Sequence, residues 1–253
     1  MTRLHAQHAE IAQPPAVEVI EEEGALLRER VLTTSIPQLD SLIGGFRASE
    51  VSLLDSDDAY LSSLLHLLCV RAVELFDEEV VWVDGGNEVN PYAMSSLCRR
   101  LGLDRKDVLS RVNVSRAFTA YQLVTLIEDK LDEQVRKSSP STVIVSSLSL
   151  MFMDRDMRWM ESHQLLRRCL ERISSIAKQR ETITIVTNGS YLHSRPSPGL
   201  TALLYDHADR AVQMRSRRKG LAVRLPTRDR EVLFSPVPWN QATLEEFGRD
   251  VLG

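Results

Sequence analysis

Residues 51–68 read VSLLDSDDAYLSSLLHLL, the layout of a buried strand, a short turn and a buried helix. In such a unit the turn is the usual place for a phosphate-binding loop, GxxxxGK followed by Ser or Thr. That loop needs glycines so that backbone N–H groups can approach the phosphates, a lysine for the β- and γ-phosphates, and a hydroxyl for Mg²⁺. Here Asp55 and Tyr60 replace the glycines, Leu61 replaces the lysine, and Ser62 alone keeps the expected chemistry. The stretch therefore predicts an α/β fold whose nucleotide site has been lost.

The turn is also strongly acidic, because Asp55, Asp57 and Asp58 stand close together. A carboxylate at about 5 Å from a phosphate would repel it by roughly 3 kcal/mol at an effective dielectric constant near 20. The turn lacks the glycine and the distal glutamate of an EF-hand loop, so a calcium site is not expected either. We therefore expect neither a cofactor nor a metal at this turn.

Five further segments carry a second signal, in order along the chain: TTSIPQLDSLIGGF at 33–46, VVWVD at 80–84, RAFTAYQ at 116–122, VIVSS at 143–147 and ITIVTN at 183–188. Together they resemble the core of the RecA/RadA recombinase family. In that family they would be the opening motif, the second strand, the segment after the third strand, the Walker B strand and the strand that ends in a T-N pair. The resemblance covers about residues 31–238. It implies an α/β fold with a RecA-like, mostly parallel twisted sheet flanked by helices and antiparallel C-terminal strands.

The residues that depart from the family pattern all stand at positions that serve nucleotide hydrolysis in the family. The resemblance places Ser146 where the family has the Mg²⁺-binding Asp of Walker B, and Gly86 where it has a catalytic Glu. The phosphate lysine and both acids are thus missing together, so metal-assisted phosphoryl transfer lacks its usual parts. We expect a protein that is not an enzyme. The alternative is another doubly wound α/β protein whose strand–helix turn never bound phosphate.

Apolar periodicity predicts the remaining elements. Helices are expected at 59–75, 91–101, 121–137 and 158–180, and short strands at 211–215, 221–225 and 231–234. The segment from Gly189 to Leu200 is predicted as a loop between these two groups.

Length and composition indicate a single globular domain. Of the 253 residues 43% are apolar and 26% are charged, as in ordinary globular proteins. We divide the chain into an acidic N-terminal tail or arm at 1–30, a RecA-like core at 31–238 and a C-terminal tail at 239–253. Three cysteines without paired spacing indicate reduced thiols, and no apolar run approaches the roughly 18 residues of a membrane span. We expect a cytoplasmic protein without a membrane partner.

Two segments are candidates for DNA binding. Arg215, Arg217, Arg218 and Lys219 form a basic cluster at a predicted hairpin tip, a spacing that suits neighbouring phosphates. The alternative is a solvated turn that protects a sheet edge from aggregation.

The second candidate is the loop from Gly189 to Leu200, which resembles the second DNA-binding loop of the recombinases. Its Tyr191, His193 and Arg195 combine an aromatic ring with cations, as stacking on single-stranded bases requires. An ordinary exposed connection remains the alternative, because the loop contains two prolines.

A third segment, Leu148 to Trp159, stands at the position of the family's first DNA loop. It is rich in methionine and aromatic residues: Met151, Phe152, Met153, Met157 and Trp159. Such composition is more typical of packing or of a protein partner than of DNA contact. We interpret it as a partner-binding groove.

These features favour a non-hydrolysing recombinase paralogue. Its expected role is an accessory one in DNA recombination and repair, binding DNA, with single-stranded DNA favoured, or a recombinase, another paralogue or a second copy. One alternative is an unconventional ATP-binding enzyme or sensor that uses Ser62, Asp84 and Asn188. Another is a regulatory protein resembling the KaiC-like relatives of the fold, without a DNA role.

Overall fold

A computed structural model describes residues 30–154, 156–189, 197–228 and 230–236. The predicted C-terminal tail and the predicted N-terminal tail, apart from Arg30, lie outside the described residues. All structural statements below concern the described ranges.

The fold is α/β and is organised by an eight-stranded sheet of order β10-β9-β8-β3-β7-β6-β4-β5. Strands β3 to β8 pair in parallel, whereas β8–β9 and β9–β10 are antiparallel. A two-stranded antiparallel pair, β1–β2, lies beside it. The strands are β1 Val31–Leu32, β2 Phe46–Arg47, β3 Val51–Ser56, β4 Val80–Asp84, β5 Val112–Arg116, β6 Thr142–Ser146, β7 Ile183–Gly189, β8 Arg210–Arg217, β9 Gly220–Leu225 and β10 Arg230–Phe234. This is the predicted mostly parallel sheet with antiparallel C-terminal strands.

Helices cover both faces of this sheet. They are α1 Pro37–Ile43, α2 Tyr60–Phe76, α3 Pro91–Leu101, α4 Arg105–Ser110, α5 Ala120–Thr125, α6 Leu131–Ser138, α7 Trp159–Arg180 and α8 Pro198–His207. A π-helical turn, Leu126–Lys130, joins α5 to α6, and a 3₁₀ turn, Leu150–Met153, follows β6.

The central strands are buried on both faces, which explains their nearly continuous apolar runs. In β4, Val80 and Trp82 belong to the core beneath α1 to α4, whereas Val81 and Val83 belong to the core beneath α5 to α8. Burying one such side chain stabilises the fold by about 1.5–3 kcal/mol. Because successive residues of a strand face opposite sides, one strand serves two cores.

Helix α3 begins and ends where the sequence predicts. The side chain of Asn90 accepts hydrogen bonds from the backbone N–H groups of Tyr92 and Ala93, and Pro91 occupies the first turn. Gly102 ends the helix at φ 70°, a left-handed conformation that glycine adopts without strain.

Two predicted elements differ in the structure. The helix predicted at 121–137 is interrupted by the π-helical turn. Helix α8 lies partly within the predicted loop and begins at Pro198, because proline is well suited to a first helical turn. Its buried residues Leu200, Leu203 and Leu204 have helical spacing, so the signal was present in the sequence.

His66 joins α2 to the start of α3 in the core. Its Nδ1 lies 2.6 Å from the carbonyl oxygen of Ser62, and its Nε2 accepts a hydrogen bond of 2.9 Å from the backbone N–H of Asn90. The ring packs on Trp82 with centroids 5.3 Å apart. Burial lowers the pKa of His66, although the Ser62 hydrogen bond and the charge of Asp84 oppose the shift. His66 is therefore held in its neutral form.

We predict that His66 makes folding stability depend on pH. As pH falls below about 6.5, the unfolded chain protonates this residue while the folded chain keeps it neutral. The unfolded state then binds more protons, so the free energy of unfolding decreases, by at most about 1.4 kcal/mol per pH unit, until the lowered folded pKa is reached. Urea unfolding of wild type and His66→Gln between pH 7.5 and 5 measures this, because the variant lacks the titrating group. The stability difference between the two proteins should shrink as pH falls, and a constant difference would contradict the prediction.

Candidate functional site

The turn between β3 and α2, at the predicted phosphate-binding position, spans only residues 57–59. Strand β3 continues to Ser56 and α2 begins at Tyr60. Asp55 therefore lies inside the sheet, with Asn188 and Gln213 as its Cα partners on β7 and β8. A wide glycine-rich loop of the kind that surrounds phosphates is not formed.

The first residues of α2 make packing contacts and intrahelical hydrogen bonds. Tyr60 packs edge-on against Phe234 with ring centroids 5.4 Å apart. Leu61, at the lysine position, is fully buried in the core. The backbone N–H of Ser62 donates to the carbonyl oxygen of Ala59 at 3.2 Å.

A carboxylate from the chain itself lies at the N-terminus of α2. Asp58 Oδ1 accepts a hydrogen bond of 2.8 Å from the N–H of Tyr60, and the Asp58 carbonyl oxygen accepts one of 3.2 Å from the N–H of Leu61. A helix N-terminus attracts anions because its first N–H groups lack helical partners. Here Asp58 occupies the place that a phosphate would take.

The acidic turn is also fastened to β8. Asp57 Oδ1 accepts a hydrogen bond of 2.8 Å from the Ser216 N–H, and Asp58 Oδ2 accepts one of 2.8 Å from the Ser216 hydroxyl. The hydroxyl oxygen of Ser56 accepts from the Asp58 N–H at 3.0 Å. The carboxylates of the turn thus stabilise a closed conformation.

Asp55 is the centre of a buried polar cluster. Its Oδ1 accepts a hydrogen bond of 2.9 Å from Asn188 Nδ2, and its Oδ2 accepts one of 2.7 Å from the Tyr205 hydroxyl. Arg215 pairs with Oδ2 through Nη2 and donates through Nη1 to the Asp55 carbonyl oxygen at 2.9 Å. The charge of Asp55 is therefore compensated within the fold.

The titration behaviour of the cluster agrees with this pairing. Burial acts to lower the pKa of Arg215, but the hydrogen bond and the charge of Asp55 raise it above its ordinary value. Burial, and then the hydrogen bond to Asp55, raise the pKa of Tyr205. Arg215 thus stays charged and Tyr205 stays a neutral donor.

The cluster reaches the neighbouring elements. The hydroxyl of Ser149, which follows β6, donates to Asn188 Oδ1. Gln213 Nε2 donates to the Tyr205 hydroxyl oxygen at 2.7 Å. Side chains from β3, β7, β8 and α8 and from the segment after β6 are therefore held in one network.

A second buried carboxylate, Asp84, lies at the end of β4. Its Oδ1 accepts from the N–H groups of Gly86 at 3.2 Å and Glu88 at 3.0 Å. Its Oδ2 accepts from the Val89 N–H at 3.2 Å and from Arg116 Nε at 3.0 Å. Because these donors already occupy the Asp84 carboxylate, it has little capacity left to bind a ligand.

Ser146, at the Walker B position, belongs to the same group. Its hydroxyl donates to Asp84 Oδ1 at 3.1 Å and accepts from Trp82 Nε1 at 3.0 Å. A hydroxyl that donates and accepts at once suits this buried position. Ser146 therefore acts as a structural bridge between β4 and β6.

Gly86 stands where the family has its catalytic glutamate, and the structure gives a side chain there no room. A Cβ atom at this position would lie 2.6 Å from the Ser147 hydroxyl oxygen and 2.9 Å from Glu88 Oε1. Glu88 is itself buried and accepts a hydrogen bond from the Ser147 hydroxyl through Oε1. No motif in the sequence marks Glu88, because its role depends on this tertiary contact.

The residues present do not fit a magnesium nucleotide. The lysine position is apolar and buried, the first N–H groups of α2 have partners, and Asp84 accepts from five groups. Among the described residues, no group of three or more His, Cys, Asp or Glu side chains could hold a metal ion.

The predicted basic cluster is divided in the structure. Arg217, Arg218 and Lys219 are exposed at the tip between β8 and β9 and have no carboxylate partner among the described residues. Gly220 makes this tight turn possible, because its φ is 139° and a Cβ there would lie 2.6 Å from the Phe234 carbonyl oxygen. Arg215 instead pairs with Asp55, because it lies within β8, which extends to Arg217, and not at the tip.

The segment predicted to bind a partner is also divided. Phe152 is buried in the core beneath α5 to α8, so it supports the segment from within. Met151, Met153 and Met157 are partly buried and pack against that core. Trp159, at the start of α7, is exposed and lies on Gly199, where a Cβ would be 3.3 Å from its Cζ2.

Trp159 is one of four exposed large apolar residues that lie at, or just before, the starts of α5 and α7. Phe118, Tyr121, Trp159 and Met160, here called the aromatic patch, are 70%, 56%, 55% and 72% exposed. A hydrogen bond of 2.7 Å from the Tyr121 hydroxyl to Glu161 Oε1 holds the start of α5 against the start of α7. Tyr191, His193 and Arg195 lie outside the described residues, so their predicted role stays a prediction.

We predict strong energetic coupling between Asp55 and Arg215. Removing either partner leaves a polar group in a desolvated position, so Asp55→Asn or Arg215→Gln should each lower the free energy of unfolding by about 1–3 kcal/mol. The double variant should lose less than the sum, with a coupling energy of about 1–3 kcal/mol. Urea unfolding of the four proteins measures this, and Arg217→Gln, at the exposed tip, should change stability by less than about 0.5 kcal/mol. Additive effects at the two sites would show that the pair does not stabilise the fold.

Comparison with known families agrees with the resemblance that the segments indicate. A family model described as Rad51 matches residues 28–202. The match covers well over half of the 253 residues, from just before β1 into α8. The matched range includes the turn between β3 and α2, and it includes strands β4 and β6. The chain therefore belongs to the Rad51 family, within the RecA/RadA recombinases.

Proposed function

We propose that this chain is a non-hydrolysing Rad51-family protein that assists DNA recombination and repair by binding DNA, a recombinase partner, or both. Family membership supports a RecA-like role in recombination and repair. The observation that carries the non-hydrolysing part is the closed turn, in which Asp58 occupies the N-terminus of α2 and Asp55 pairs with Arg215.

In this chain the groups at the positions that serve nucleotide hydrolysis in the family take part in internal packing and hydrogen bonds. Phosphoryl transfer depends on cations that neutralise the phosphates and on an acid or amide that orients water. Leu61, Ser146 and Gly86 stand at the corresponding positions and offer neither. A nucleotide would also have to displace the Asp58 carboxylate from the helix N-terminus. Binding to other macromolecules is then the function that we propose for the surface at the carboxyl ends of the strands.

The hairpin tip supports DNA binding. Arg217, Arg218 and Lys219 are exposed cations without carboxylate partners among the described residues. Each phosphate that such a cation neutralises contributes about −0.7 to the slope of log K against log salt for single strands. Three contacts would give a slope of about −2, which is modest but measurable.

The aromatic patch supports a protein partner. Soluble proteins seldom expose several large apolar side chains together unless these form an interface. Tryptophan and tyrosine also dominate the binding energy of many interfaces. A hydrogen bond to Glu161 positions the Tyr121 side chain. A recombinase of the same family is the partner that we propose for this surface.

We predict DNA binding that weakens with salt and is indifferent to Mg-ATP. Fluorescence anisotropy of labelled single- and double-stranded oligonucleotides over a salt series measures it. Arg217→Ala with Arg218→Ala should weaken binding and reduce the size of the log–log slope by about 1.4 for single strands, because two phosphate contacts are lost.

The control for this experiment removes the same charge elsewhere. Arg105 and Lys106 are exposed at the start of α4, and their replacement by alanine should leave the slope unchanged. Equal effects of the two double variants would exclude the hairpin tip as the DNA contact. Binding that requires Mg-ATP would contradict the non-hydrolysing proposal and favour the unconventional nucleotide site.

We predict that the aromatic patch contributes to binding of a hydrolysing Rad51-family recombinase. Trp159→Ala with Met160→Ala should raise the Kd by at least tenfold, since central aromatic side chains often contribute 2 kcal/mol or more. Biolayer interferometry with the immobilised recombinase measures it. Leu75→Ala is the control, because Leu75 is an exposed leucine near the C-terminal end of α2, a helix that carries no residue of the aromatic patch. A Kd that is equal in all variants would remove the patch from the interface.

A further inference from the structure

The amino-terminal edge of the sheet contains a second polar site. Here, at the edge opposite to the altered nucleotide turn, a cavity of about 620 Å³ lies between the end of α6, the end of α7 and the start of the described chain. Its lining includes three arginines, Arg30, Arg136 and Arg180, the exposed Ser139, and two acidic residues, Glu78 and Glu181. Nothing in the proposed DNA or partner binding uses this cavity.

The cavity has an excess of cations on one side. Arg136, Arg172 and Arg180 share a single carboxylate, that of Asp132, with N···O distances of 3.8, 3.4 and 2.9 Å. Burial acts to raise the pKa of Asp132, but the three arginines together hold it below its ordinary value. Two further acidic residues line the cavity, Glu78, which pairs with Arg30, and Glu181. The four arginines at this edge, Arg30, Arg136, Arg172 and Arg180, still outnumber the three acids Asp132, Glu78 and Glu181. An anion near Arg136 and Arg180 would therefore be stabilised.

Ser139 is placed to supply that anion. It follows the last residue of α6 and precedes Pro140, in the sequence RKSSP. Its φ is 45° and ψ is 54°, a left-handed conformation that costs free energy for a serine, the more so before proline. The Ser139 N–H closes the helix by donating to the Val135 carbonyl oxygen at 2.9 Å, and the residue is exposed at the rim of the cavity.

We propose that Ser139 is a phosphorylation site for a proline-directed protein kinase and that Arg136 and Arg180 receive its phosphate. In the transfer, the Ser139 oxygen forms a bond to the γ-phosphorus of ATP as the bond to the bridging oxygen breaks. ADP leaves, and the hydroxyl proton passes to the base of the kinase. The product carries about −1.5 to −2 charges and three strong acceptor oxygens, which suit the planar guanidinium fork.

The modification would change the ion pairs at this edge. Arg172 can remain with Asp132 while Arg136 and Arg180 turn to the phosphate. Arg30, which pairs with Glu78 at 2.7 Å, lines the same cavity. The phosphate would thus join the ends of α6 and α7.

The first experiment tests the modification itself. The purified full-length chain is incubated with a proline-directed kinase and Mg-ATP, and phosphopeptides are mapped by mass spectrometry. We expect phosphate on Ser139 and its loss in Ser139→Ala. The chain has two other described Ser-Pro pairs, at Ser197 and Ser235, and labelling of these without Ser139 would overturn the proposal.

The second experiment tests the receiving arginines without a kinase. Phosphoserine is incorporated at position 139, and its second pKa, ordinarily about 6, is followed by ³¹P NMR. Facing cations should lower this pKa by at least about half a unit, and Arg136→Gln with Arg180→Gln should restore it. Arg168→Gln is the matched control, because Arg168 is an α7 arginine that pairs with Glu128 and does not line the cavity.

The outcomes separate the two parts of the proposal. An unshifted second pKa would overturn the role of Arg136 and Arg180, and a shift that Arg168→Gln also abolishes would assign it to the general charge of α7. The site lies on the edge opposite to the turn and the hairpin tip, so its failure would not affect the proposed function.

Discussion

The ion pair between Asp55 and Arg215 is the interaction on which the rest of the candidate site depends. It lies where β3, β7 and β8 run side by side, and it adds a charged contact to their backbone hydrogen bonds. Because Asp55 also accepts from Asn188 and Tyr205, the pair aligns the ends of two further elements. Without Arg215 the carboxylate would be buried with only neutral donors, which is costly in a low-dielectric interior.

The same constraint explains why the turn is closed. A phosphate loop remains open because its glycines have no side chains to fill the space and its N–H groups await a ligand. Here Asp57 and Asp58 use their carboxylates to bind β8 and the start of α2. The turn contains its own anion, and the helix dipole that would attract a phosphate is already compensated. Polar groups that elsewhere act on a nucleotide have become part of the fold.

The sequence predicted the parallel core well, because strands buried on both faces have unmistakable apolar runs and α3 has both of its caps. Arg215 was harder to place. Its neighbours Arg217, Arg218 and Lys219 suggest a single basic tip, but Arg215 lies within β8, where successive side chains face opposite sides of the sheet. On its face of the sheet Arg215 meets the Asp55 carboxylate, a partner from a distant part of the sequence. The two prolines near α8 favoured a loop, although the second of them begins a helix. The structural roles of Glu88 and Arg116 depend on tertiary contacts: Glu88 bonds to Ser147, and Arg116 bonds to Asp84. No local sequence pattern predicts such contacts.

The crowding around Gly86 has a consequence for substitutions at this end of the sheet. A glutamate at this position would meet Ser147 and Glu88. A glycine at position 55 would leave Arg215 without its carboxylate, and an aspartate at position 146 would place a second acid against Asp84. Each of these single changes should therefore weaken the fold. The residues at these positions depend on their neighbours, so a change at one of them would be tolerated only together with changes in the side chains that it contacts.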